Sequence, residues 1–95
     1  MNVKVAKSVY KEVEKIPKPI RELIGEQIEI LENAVTLSEV PNVYKMQGTS
    51  EPYYRLKVHT YRFMMYYDED ANILQILSLT HRKDTYKKHN LPWQR

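Results

Sequence analysis

Residues 20–35 carry an apolar stripe at helical spacing, and from residue 53 onward the apolar period falls to two. That switch constrains the fold more than any other feature of the chain. Ile20, Leu23, Ile24, Gln27, Ile28, Leu31, Ala34 and Val35 follow the i, i+3, i+4, i+7 rule. Glu22, Glu26, Glu29 and Glu32 lie off the stripe and are expected to face water. An amphipathic helix of this kind needs a surface to cover. From Tyr53 to His59 the chain alternates: Tyr54, Leu56 and Val58 fall on one side, Tyr53, Arg55, Lys57 and His59 on the other. A half-buried strand is the structure that such alternation specifies.

The remaining segments complete the pattern. Residues 2–6 alternate loosely and read as a short strand. Ser8 is suited to cap the helix that follows, in which Val9, Val13 and Ile16 recur at helical spacing. Pro17 and Pro19 lack the N–H that a helix interior needs, so Ile16 to Pro19 reads as a turn between two antiparallel helices. Residues 36–52 form a connection with turn residues at Pro41, Asn42, Gly48, Ser50 and Pro52, and Val43 to Met46 is a candidate extended piece. Tyr61 to Tyr67 reads as a strand, Asp68 to Asn72 as a polar hairpin loop, and 73–80 as a strand buried on both faces. Asp84 to His89 reads as a helical turn or a tail. The expected fold is α+β: an N-terminal strand and helical hairpin packed on one face of a twisted, mainly antiparallel sheet, as a single domain over 1–95.

Composition narrows the function classes. The chain has 95 residues and no cysteine, which excludes disulfides and zinc–thiolate sites. No apolar run approaches the roughly 20 residues of a membrane span, and the start lacks a signal-peptide core. A soluble, cytoplasmic protein without cofactor or metal is the expectation. The net charge of +3 is unevenly placed. Residues 1–51 hold 7 basic and 8 acidic side chains, whereas 52–95 hold 8 basic and 4 acidic. A positive field of this kind suits a polyanion or an acidic protein, although mild basicity is also common without a specific partner.

If Leu56, Phe63 and Leu77 point at the helices, Arg55, Lys57, Arg62 and Arg82 converge on the uncovered face. Crowded cations cost Coulomb energy that a phosphate backbone relieves. Tyr53, Tyr66 and Tyr86 would add surfaces for unpaired bases. The alternative is an ordinary solvated strand face, where lysine and arginine also protect edges.

Three stretches then carry a resemblance: Tyr54-Arg-Leu-Lys-Val58, Tyr61-Arg62, and Leu79-Thr-His-Arg-Lys-Asp-Thr-Tyr86. Together with Lys45-Met-Gln-Gly48, they are similar to the RelE family of bacterial toxins, over roughly residues 2–88. The resemblance implies the toxin of a type II toxin–antitoxin system. It implies a metal-independent endoribonuclease that cuts mRNA on the ribosome and is held by a cognate antitoxin in a hetero-oligomer. By motif match, Arg62 and Arg82 take phosphate charge, Lys57 sits on the catalytic strand, and Tyr86 stacks on or protonates the substrate. Arg55, His59, His81 and Lys83 are the expected RNA-binding residues. The chain departs from the family in having His59-Thr60 where Gly-Asp is common. A guanidinium cannot act as a general base. That role is open to Lys57, if its cationic neighbours favour the neutral amine, or to His59 or His81. For His81 the favoured reading is that it packs behind Arg82. Two other readings remain at this point: a ParE-like, non-nuclease toxin that binds DNA gyrase, and an RNA-binding module that does not cleave.

Overall fold

The computed structural model describes residues 1–85. Five strands and two helices follow in the order β1 (Asn2–Val5), α1 (Lys7–Glu14), α2 (Lys18–Asn33), β2 (Val43–Lys45), β3 (Tyr53–Val58), β4 (Tyr61–Asp68) and β5 (Ile73–His81), with a 3₁₀ turn at Leu37–Glu39. The sheet order is β1-β5-β4-β3-β2. β1 runs parallel to β5, and the other pairings are antiparallel. The α+β arrangement expected from the period switch is the one found.

The helices bury Val9, Ile16, Ile24 and Leu31 against Leu56, Val58, Phe63, Met65, Leu74, Ile76 and Leu79 of the sheet. Burying one such side chain contributes roughly 1.5–3 kcal/mol. Ile24 and Leu31 lie at the centre of the apolar stripe. Leu23 and Val35, at its margins, stay exposed, while the four stripe-opposed glutamates face water as expected.

Three local expectations need correction. Ser8 does not cap α1: the N-cap is Ala6, and Ser8 Oγ donates to the Leu77 carbonyl at 3.4 Å. Backbone pairing of β1 with β5 extends through Ala6, whose N–H donates to the Ile76 carbonyl at 2.9 Å, so the strand passes straight into the helix. Pro19 does not lie in the inter-helix turn but within the first turn of α2, where a missing N–H costs nothing. The third correction concerns β5. Met64 pairs with Ser78 but Met65 pairs with Ile76, so Leu77 is an extra residue and the strand's parity reverses there. Leu79 and Ile76, not Leu77, face the helices with Leu56 and Phe63. The strand is therefore not buried on both faces, and Gln75 is exposed.

Candidate functional site

The face of the sheet turned away from the helices is ordered by register. At the β3–β4 turn, Lys57 lies opposite Arg62, and Arg62 opposite Thr80. One step along, Tyr44, Arg55, Met64 and Ser78 form a second row. Beyond it, Tyr53, Tyr66 and Gln75 form a third. The sheet thus brings Arg55, Lys57 and Arg62 together. Like charges directly opposite one another on neighbouring strands are destabilising, so the Lys57–Arg62 pair is a place where an anion would be welcome.

Arg62 is held in position. Its Nη1 donates to the carbonyls of His59 and Tyr61, each at 2.8 Å. Arg82 follows β5, and its backbone N–H donates to the Thr60 carbonyl at 2.7 Å, which ties its segment to the same turn. A hydroxyl chain reinforces that segment. Thr80 Oγ1 meets Thr85 Oγ1 at 3.0 Å, and Thr85 Oγ1 donates to the His81 carbonyl at 3.3 Å. Thr85 is only 2% exposed, so its hydroxyl is satisfied within the protein. Arg82 and Lys83 are exposed in this turn.

The two histidines of this end differ. His59 occupies the β3–β4 turn with φ 56°, in the left-handed region where glycine is easier. It is exposed beside the cations, and its Nδ1 lies 3.3 Å from Thr60 Oγ1. His81 pairs with Tyr61, on the parity of Phe63 and Leu79, and stacks edge-on to Tyr61 with centroids 5.4 Å apart. The Lys83 N–H donates to His81 Nδ1 at 3.2 Å, which ties the ring to the turn that follows β5. His81 is therefore a packing residue at the sheet's end, on the opposite parity from Lys57 and Arg62. Tyr86, and with it the segment 86–89, lies outside the described residues.

Met46 and Met64 bury one another beside Tyr53, so this face is not purely polar. Tyr53 and Tyr66 meet edge to face at 5.3 Å. Tyr44 was not among the sequence candidates. Arg55 Cζ lies 5.4 Å and Lys57 Nζ 4.9 Å from its ring centroid. The only forewarning in sequence is the Val43-Tyr44-Lys45 alternation, too short to fix a register. On the helix side, at the other end of the sheet, Leu37, Val40, Val43, Tyr54, Tyr67 and Asn72 line an open groove. Among the described residues, no helix is long and apolar enough to cross a membrane.

No protein-family model and no curated protein sequence matches the chain. Solved structures do. A chain of the archaeal RelE–RelB complex from Pyrococcus horikoshii OT3 is 29% identical with a TM-score of 0.70, over 85% of this chain and 93% of that one. A chain of the RelB–RelE antitoxin–toxin complex from Methanococcus jannaschii is 26% identical with a TM-score of 0.72, over 87% and 94%. The isolated RelE toxin of E. coli is 18% identical with a TM-score of 0.59, over 84% and 82%. The two helices on a five-stranded mixed sheet are thus the RelE fold, and the chain is RelE-like.

Proposed function

We propose that this RelE-like chain is the toxin of a type II toxin–antitoxin pair, and that it acts in the cytoplasm as a metal-independent endoribonuclease on ribosome-bound mRNA. The observation that carries the reading is the convergence of Arg55, Lys57 and Arg62 on the one sheet face the helices leave open, with the Arg82 segment tied to its end. The cationic face supports a nuclease over a toxin that binds gyrase without cleaving.

In the proposed reaction a ribose 2′ oxygen attacks the adjacent phosphorus and the P–O5′ bond breaks. The products are a 2′,3′-cyclic phosphate and a 5′-hydroxyl. Arg62 and Arg82 stabilise the extra charge of the phosphorane. Arg62 suits this role because two backbone carbonyls already fix its guanidinium. Lys57, across from Arg62, would take the proton from the attacking 2′ oxygen, with the exposed His59 of the same turn as the alternative base. The terminal motif assigns Tyr86 to stacking or to protonating the leaving oxygen. Arg55 and Lys83 hold flanking phosphates, while the packing of His81 supports a positioning role for it instead of direct RNA contact.

The proposed partner is a cognate antitoxin, by analogy with the antitoxin–toxin complex of Methanococcus jannaschii. Acidic or apolar antitoxin segments would cover the cationic face and the groove beside the helices, forming a hetero-oligomer. Induction of this protein alone in a bacterium tests the reading. Growth and translation should stop, and co-expression of the adjacent small gene should restore both. Normal growth at verified soluble expression would overturn it.

A further inference from the structure

Tyr44 stands apart from the other aromatic residues of the cationic face. Tyr53 and Tyr66 are half-buried and engage each other edge to face. Among the described tyrosines of this face, Tyr44 alone is exposed, with 44% of its surface open to solvent. It lies on β2, the edge strand, in register with Arg55. Both cationic heads of β3 are drawn to its ring, at 5.4 Å for Arg55 and 4.9 Å for Lys57. Attraction between a cation and a ring quadrupole accounts for that arrangement. A half-open ring with two phosphate-seeking cations over it, on the rim of the sheet, combines the two elements of single-strand recognition: charge that follows the backbone and a π surface for a base.

We propose that Tyr44 is the platform of a nucleobase subsite, on which an unpaired base stacks while Arg55 and Lys57 hold the phosphate next to it. The inference rests on the RNA-directed reading above and adds a residue and a ligand to it. A base must be unpaired to offer its face, so the subsite takes single-stranded RNA and not a duplex. Every base has a π face, so it discriminates strand state more than sequence. The ring also positions the Arg55 and Lys57 heads, and the two roles are separable by experiment.

Binding is measured with the full chain and a short single-stranded oligonucleotide of 2′-O-methyl RNA, which lacks the attacking hydroxyl and so cannot be cleaved. A single abasic nucleotide is walked along it. Tyr44→Phe keeps the ring and should bind within about twofold of wild type. Tyr44→Leu and Tyr44→Val remove the ring, and valine retains strand propensity should leucine unfold the edge. Each should bind about tenfold more weakly, the size that loss of one base–aromatic stack gives. At one position the abasic substitution should cost wild type the same factor and cost the ring-less variants nothing further. The corresponding duplex should bind all four proteins alike. Equal abasic costs in wild type and ring-less variants at every position would overturn the proposal and leave Tyr44 as a support for the two cations. Wild type that binds no single-stranded RNA would overturn the subsite while leaving the nuclease reading, which concerns ribosome-bound mRNA, in place. Coupled binding without cleavage of the matching unmodified RNA, presented as mRNA in the ribosomal decoding site, would overturn the nuclease reading alone.

Discussion

Replacing Arg62 with alanine separates the structural contribution of this residue from its chemical one. In the structure Arg62 Nη1 donates to two carbonyls, those of His59 and Tyr61, at 2.8 Å each. Both acceptors lie at the β3–β4 turn, where water can take the place of the lost donor. The stability cost is therefore that of a modest net hydrogen-bond loss, about 1 kcal/mol. For a domain of this size that corresponds to a fall of about 4–8 °C in Tm. Such a variant remains almost wholly folded at 25 °C. The chemical cost is of a different size. If the guanidinium stabilises charge that develops only in the phosphorane, its loss should slow cleavage by about 10²–10³, or roughly 3–4 kcal/mol. RNA affinity should change far less, because the ground-state phosphate carries less charge than the transition state. Single-turnover cleavage at saturating protein, with Kd and melting measured on the same preparation, distinguishes the terms. Arg62→Lys should recover only part of the rate, since an ammonium cannot present a planar fork. The reasoning is refuted if folded Arg62→Ala cleaves within threefold of wild type, or if the loss in Kd equals the loss in rate.

Other residues give independent expectations. His59→Gly should raise stability by roughly 1 kcal/mol in urea unfolding, because a left-handed φ strains histidine and not glycine. A fall in cleavage in the same variant would assign the imidazole a chemical part, and unchanged cleavage would confine it to the turn. Thr85→Val keeps the shape of a buried side chain but leaves Thr80 Oγ1 and the His81 carbonyl each short of a partner. Stability should fall by about 1–3 kcal/mol, with cleavage reduced through displacement of Arg82. Tyr86→Phe and Tyr86→Ala separate stacking from proton donation: a large rate loss in the Phe variant indicates acid chemistry, and a loss confined to Ala indicates stacking.

The sequence makes the layers legible because burial imposes a period on them. Ile24 and Leu31 at the centre of the α2 stripe, and Leu56 and Val58 on β3, end in the core that their spacing forecasts. What the spacing misses is register set by contacts distant along the chain. The nearly continuous apolar run of β5 hides the bulge at Leu77, although its polar residues mark it: Gln75 is odd-numbered, while Ser78 and Thr80 are even-numbered. Ser8 has the chemistry of a cap, but β1 pairs with β5 up to the first turn of α1 and sets Ala6 there instead. Arg55, Lys57 and Arg62 are brought together because adjacent antiparallel strands preserve the alternation read from each one. His81 falls on the side of Leu79 by the same alternation, in line with the reading that it packs and against the motif-based one that it contacts RNA. Tyr44 lies on a strand of three residues, and its meaning depends wholly on pairing with Arg55.

The central claim, that the cationic sheet face cleaves mRNA, is tested most directly by mapping RNA ends after brief induction of wild type and Arg62→Ala at equal soluble levels. The account expects new 5′-hydroxyl and 2′,3′-cyclic phosphate ends inside translated reading frames with wild type, and their near absence with Arg62→Ala. Intact mRNA in cells whose growth has stopped would contradict it, and DNA breaks in those same cells would assign the toxicity to gyrase instead.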